Sequence, residues 1–307
     1  MPFFVASAEV VALPPSKLRL VLLTAAAVAL VVVAVRAPGG PSGVGAVAAP
    51  VGIARAASID RGTAEVETTK KPSAATRATA AAKRAPLASA KGIRAAQRYA
   101  RSRAGTVAFA VLDGQGRLRG LNRTVQFPSA SVVKAMLMVS VLRSIGKGHL
   151  DGGTARTLTS MITVSDNDAA SAVYRRVGAS GLYRVAHAAN MRYFRDVGWW
   201  AGARLTAADQ ARFFYRIDKL VPATHRRFAR KLLSSIVGYQ RWGIPPVAAR
   251  HDLKVFFKGG WRTAITHQVA LLEKGDRRIA LAVFTSGEPS QGYGEQTIAG
   301  IAARVLG

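Results

Sequence analysis

Two patterns of apolar residues divide the chain. The first is continuous: Leu20 to Val35 is a run of sixteen residues in which only Thr24 is not strongly apolar, with Lys17 and Arg19 before it and Arg36 after it. Its length falls between the core of a secretory signal and a spanning helix of about 20 residues. That predicts an export signal or a single membrane anchor over residues 20–36, behind a cytoplasmic leader of residues 1–19. Ala46-Val47-Ala48 has the small-residue spacing of a cleavage site but lies far past the run, which favours an uncleaved anchor. Pro38 to Ala90 is Ala, Gly, Pro, Thr and Ser with scattered cations and almost no large apolar residue. Such a composition buries too little surface to fold, so residues 37–90 read as a disordered linker.

The second pattern is periodic and begins near Lys91. Ile93 to Tyr99 reads as part of a helix ending near Gly105. Thr106 to Leu112 reads as a strand, Asp113-Gly114-Gln115-Gly116 as a turn, and Arg117 to Asn122 as the returning strand. Ala130 to Leu142 is apolar nearly all round, the mark of a buried helix, which Gly146 and Gly148 end. Helical pieces follow to about Val237, with Thr206 and Thr224 as N-cap candidates. Lys254–Phe257, Thr266–Glu273 and Arg278–Thr285 read as three strands, and Glu295 to Leu306 as a last helix. Helix, two strands, many helices, three strands, helix: this order predicts an α+β domain over residues 91–307. Its centre is a five-stranded antiparallel sheet flanked by the N- and C-terminal helices, with an all-helical subdomain inserted between the sheet's halves.

Charge narrows the choice of partner. The 307 residues carry a formal +28, and from residue 91 onward 34 Lys and Arg face 12 Asp and Glu. Such a field favours anionic surfaces, whether membrane, acidic wall polymer or nucleic acid; the export segment argues against nucleic acid. Cysteine is absent, which excludes a disulfide framework, a thiolate zinc site, a cysteine nucleophile and a lipid-attachment cysteine. His149, His187, His225, His251 and His267 show no metal-ligand spacing and read as ordinary polar or partly buried residues. No cofactor or metal is expected, and the chain reads as a monomer.

Candidate chemistry gathers in three short stretches. Ser131 and Lys134 stand three apart at the start of the apolar helix, so a hydroxyl and an amine share one face. A lysine can take the proton of a serine nucleophile if burial, the positive helix terminus and a second cation depress its pKa. Thirty-four residues after Ser131 comes Ser165-Asp166-Asn167, which by itself is a good helix cap. Lys258-Gly259-Gly260-Trp261 directly follows the apolar Val255-Phe256-Phe257. Glycines there let a substrate backbone approach the strand, and the lysine offers a cation to a carboxylate. Trp199, Trp200, Tyr239 and Trp242 could line a groove for wall glycan or peptide or pack into the core.

In this order the three stretches resemble the Ser-x-x-Lys, Ser-Asp-Asn and Lys-Thr-Gly set of class A β-lactamases and penicillin-binding proteins. Phe127, Ala130, Gln240 and Gly243-Ile244-Pro245 are similar to that superfamily as well. The resemblance implies an exported serine hydrolase that forms an acyl-enzyme on Ser131, with Lys134 as base or proton relay. It makes Ser165 the donor to the leaving nitrogen, Asn167, Lys258 and Gly260 substrate-binding, and the backbone amides of Ser131 and Trp261 the oxyanion hole. The implied substrate is a β-lactam or a related wall-peptide amide, so a D-Ala-D-Ala-type wall peptidase and a non-catalytic wall-binding module stand as alternatives.

Two departures from the family pattern bear on turnover. Gly259 stands where the family has a hydroxyl residue. No Glu occurs from Asn167 to Lys258, so the carboxylate that would activate the deacylating water is missing. Asp196 is the carboxylate near the expected place. It is a candidate deacylation base, set against the commoner role of ion-pairing with an arginine. Without a replacement base, acylation proceeds and release is slow.

Overall fold

The computed structural model describes residues 86–307. The leader, the apolar run of residues 20–36 and nearly all of the 37–90 linker lie outside the described residues; among the described residues, no helix is long and apolar enough to cross a membrane. Helix α1 (Ala90–Arg101) starts one residue ahead of the expected domain boundary, with Ser89 Oγ accepting the Gly92 N–H as its cap.

Strand β1 (Thr106–Leu112) turns into β2 (Leu118–Leu121) at Asp113, whose carboxylate accepts from the backbone N–H groups of Gln115 and Arg117. The other three strands of the main sheet come from the end of the chain: β5 (Lys254–Arg262), β6 (Ile265–Lys274) and β7 (Arg277–Ser286). Their order is β2-β1-β7-β6-β5, antiparallel throughout. The expected five-stranded sheet is therefore present, and β1 reaches across the helical insertion to pair along its whole length with β7. Helices α1 and α8 (Gln291–Leu306) pack together on one face; α5 (Ala207–Leu220) covers β1 and β7. Burial on both faces explains why the middle of β7, Ile279–Phe284, reads as a continuous apolar run and not as an alternating one.

The insertion holds α2 (Lys134–Ile145), α3 (Gly152–Thr163), α4 (Asn167–Ala188), α5, α6 (Arg226–Ser234) and α7 (Ile244–Ala249). α4 is not one rod, because Gly178 has a φ of 61° inside it. Thr206 caps α5 as expected, its Oγ1 accepting the Asp209 N–H. Thr224 is not a cap: it lies inside a 3-10 turn, Ala223–His225, that runs straight into α6, and its hydroxyl instead reaches Gly146 O.

Three further expectations are corrected. A two-stranded sheet, β3 (Gln126–Pro128) with β4 (Arg204–Thr206), pairs segments that the sequence pattern leaves as loop and cap. β5 does not stop at Phe257 but runs through both glycines to Arg262, since every one of these residues has a partner on β6. The last helix begins at Gln291, a turn earlier than Glu295, behind a Ser290 cap.

Candidate active site

Ser131 lies in a 3-10 turn, Ala130–Val133, immediately ahead of Lys134 and α2. With three residues per turn, positions i and i+3 eclipse, so the turn brings Ser131 and Lys134 onto one line more closely than an α-helix would. Ala130 enters the turn at φ 44°, a left-handed value that costs an alanine roughly 1 kcal/mol. Behind the turn, Ser129 Oγ donates to Trp200 O at 2.9 Å, and His267 Nε2 meets Pro128 O at 3.0 Å.

Lys134 is fully buried. Its amine donates to Ser165 O at 2.5 Å, Asn167 Oδ1 at 2.7 Å and Ser165 Oγ at 3.2 Å. Burial pushes its pKa down to about 8, against an upward pull from Asp166. Ser165 can offer both its carbonyl and its hydroxyl to one amine because its own φ is 63°. Asp166 holds that conformation: its carboxylate accepts the N–H groups of Asp168 and Ala169 and the hydroxyl of Ser160, capping α4. The Ser-Asp-Asn triplet is thus cap and site together.

Lys258 comes from β5 at the edge of the sheet and is also fully buried. It donates to Ser165 Oγ at 3.1 Å and to Gly259 O at 2.9 Å; burial, with the Lys134 charge adding to it, holds it well below the ordinary lysine range. Two amines therefore converge on one hydroxyl. The backbone of β5 presses against the Ser131 turn at Gly260, where a Cβ would lie 2.5 Å from Ser131 N and 2.8 Å from Val132 N. Gly259 leaves room for Trp242, whose ring carbons would lie 3.2 and 3.3 Å from a Cβ at that position; Trp242 in turn meets Trp261 edge to face. An indole occupies the space where a longer side chain in the third stretch would sit.

The structure thus brings Ser131, Lys134, Ser165, Asn167, Lys258 and Gly260 together. Asp196 has other partners. Tyr174 Oη reaches both of its oxygens, at 3.0 and 2.9 Å, and Gly198 N–H donates at 3.0 Å. Burial, then the neighbouring Asp196 carboxylate, pushes the Tyr174 pKa up to about 12, so it stays a phenol and a donor. The arginine pairing expected of Asp196 is not made among the described residues. What faces the Lys134 amine is the Trp200 ring, with its centroid 4.7 Å away and its Nε1–H donated to Ser171 Oγ.

Comparison with known proteins bears on the family and the fold. A family model described as the beta-lactamase enzyme family matches residues 154–307, a span that holds the second and third stretches and begins after Ser131. The chain belongs to that family. It is accordingly a serine hydrolase of the β-lactamase type. Solved structures share its fold: a beta-lactamase from Sphaerobacter thermophilus (20% identity, 71% of this chain and 96% of that one, TM-score 0.63), one from Xanthomonas campestris pv. campestris (17%, 70% and 97%, 0.62) and PBP-A (14%, 71% and 95%, 0.61). A PBP-A mutant has been solved as an acyl-enzyme with penicillin G. No curated protein matches the chain.

For two residues the sequence pattern does not give the position that the structure shows. Trp200 is 66 positions from Lys134, and only the path of the segment between α4 and β4 brings it over the amine. His267 anchors the segment ahead of Ser131 from inside β6, through Pro128 O, and its spacing in the sequence gives no hint of that.

Proposed function

We propose that the protein is an extracytoplasmic, membrane-tethered or secreted enzyme that forms an acyl-enzyme on Ser131 with β-lactams or related wall-peptide amides and releases it slowly. The observation that carries this reading is the Lys134 amine, buried, held by Ser165 and Asn167, and depressed to about 8. A lysine so placed is neutral often enough near neutral pH to take the Ser131 proton. Ser165 Oγ, between the two amines, is placed to hand a proton to the leaving nitrogen while Lys258 holds the substrate carboxylate. The Ser131 and Trp261 amides receive the oxyanion, and the close passage of Gly260 over Ser131 supports that pairing.

Slow release is supported by what surrounds Lys134. Among the described residues the carboxylate that acts on Lys134 is Asp166, which is taken up in capping α4, and an indole faces the amine. Asp196 is occupied by Tyr174 and Gly198, which supports a role in tying its loop to α4. A wall-peptide substrate follows as readily as a β-lactam, since acylation and not turnover is what the site supports. A labelled penicillin tests the reading: intact mass should show one covalent adduct that Ser131→Ala abolishes. No adduct at high ligand and long times would overturn it in favour of a wall-binding module without catalysis.

A further inference from the structure

At the far end of the helix that carries Lys134 lies a second cavity of about 430 Å³. Arg143 stands nine residues beyond Lys134, about 14 Å along the helix axis. Four elements supply its cations: Arg143 from α2, Arg184 from α4, Lys219 from α5 and Arg226 from α6; no carboxylate lines it. Asp218, next to Lys219 in sequence, is taken by Arg230 and Arg278.

Three features set this cluster apart from an ordinary basic surface. Arg143 Nη1 and Arg226 Nε donate to the carbonyls of Leu220 and Val221, which fixes both guanidinium groups and leaves their other N–H donors free. Arg184 and Lys219 make no hydrogen bond or ion pair among the described residues. Arg226 opens α6, where the helix dipole disfavours a cation. Like charges held in one concavity raise its potential and concentrate counter-ions there.

The floor adds an independent sign. Ser140 lines the cavity, is only 5% exposed, and is the one hydroxyl among the buried residues of α2. Its Oγ makes no hydrogen bond among the described residues. That hydroxyl opens on the cavity and has a donor to offer a bound anion.

From these observations we propose that the cavity binds a phosphoryl-bearing anion. Guanidinium forks match phosphate oxygens two at a time, Lys219 adds a point charge, and Ser140 Oγ donates from below. The volume exceeds what a single phosphate fills, which fits a diphosphate or a phosphodiester with part of its substituent.

Titration calorimetry on the purified full-length chain at low ionic strength tests this. One arm uses inorganic pyrophosphate; the other uses short-chain phosphatidylglycerol below its micelle concentration, so that a free phosphate and a lipid headgroup are told apart. Saturable one-to-one binding is expected in at least one arm. Arg184→Ala with Lys219→Ala should weaken it tenfold or more, and Ser140→Ala several-fold, with the rate of penicillin attachment to Ser131 unchanged. No saturable binding in either arm, or binding that the double variant retains, overturns the proposal.

Discussion

Lys134 rests with its proton on, since three acceptors engage its three N–H groups. To act as a base it must first lose that proton. Acylation by a labelled penicillin should therefore rise about tenfold per pH unit below pH 8 and level off above it, and a flat profile from pH 6 to 10 would remove Lys134 from the role of base. The same depression acts on stability. Between pH 8 and 10.5 the unfolded chain keeps a lysine proton that the folded chain has released, so stability rises with pH across that window.

His267 shows the same sign at lower pH. Its Nδ1 accepts the Thr285 N–H and its Nε2 donates to Pro128 O, so the neutral ring is fully satisfied and a second proton would point at an N–H. Burial first, then the Arg262 charge, lowers its pKa to about 4 against upward pulls from Pro128 and Thr266. From pH 6.5 down to 4 the unfolded chain binds a proton that the folded chain refuses, and stability falls by roughly 3 kcal/mol over that range. Urea midpoints against pH should show this slope in the native chain and lose it in His267→Gln. Because Pro128 precedes the nucleophile's turn by two residues, the variant should also acylate more slowly.

At the scale of elements, β5 holds the site's tolerances. Its backbone approaches Ser131 so closely that Gly260→Ala must push the strand off the nucleophile's turn. Loss of one oxyanion donor costs about 10² to 10³ in rate, and stopped-flow acylation of Gly260→Ala should fall by that much while far-ultraviolet circular dichroism stays native. Acylation within threefold of the native rate would show that the amide pair is not built as described. This strand also marks where sequence reading stops. Thr106–Leu112 was legible to the residue because an apolar run is closed by an Asp-Gly turn. The continuation of β5 past Phe257 was hidden, since two glycines read as a break until pairing with β6 is known. Three-residue strands such as β3 and β4 carry too little pattern to be seen, though they set the floor beneath Ser129. Ser131, Lys134, Ser165, Asn167 and Lys258 were legible because the three stretches that hold them, weak one by one, resemble in their order the motif set of a known family. Partners such as Trp200 and Tyr174 depend on the course of a loop, which no local periodicity records.

At the scale of the whole domain, the fate of the acyl group depends on how the two halves close. The sheet contributes Lys258, the helical half contributes Lys134 and Ser165, and the segment between α4 and β4 carries Trp200 over the amine. Ser129 Oγ donates to Trp200 O and Trp200 Nε1–H donates to Ser171 Oγ, so both ends of that residue are tied and the indole is held over the Lys134 amine. In the proposed mechanism Lys134 and Ser165 are both committed to proton transfer during acylation. Losing a positioned base costs about 10² to 10⁴ in rate, so the penicillin adduct should last minutes or longer. Trp200→Glu would set a carboxylate beside Lys134 and shorten the adduct at least tenfold; Trp200→Ala, which admits water without a base, should shorten it less. Asp196→Asn should leave both acylation and release within twofold, because its oxygens already serve Tyr174 and Gly198. Time-resolved intact mass after ligand removal reads all three lifetimes. A markedly longer adduct in Asp196→Asn would show that this carboxylate, and not a bare site, governs release.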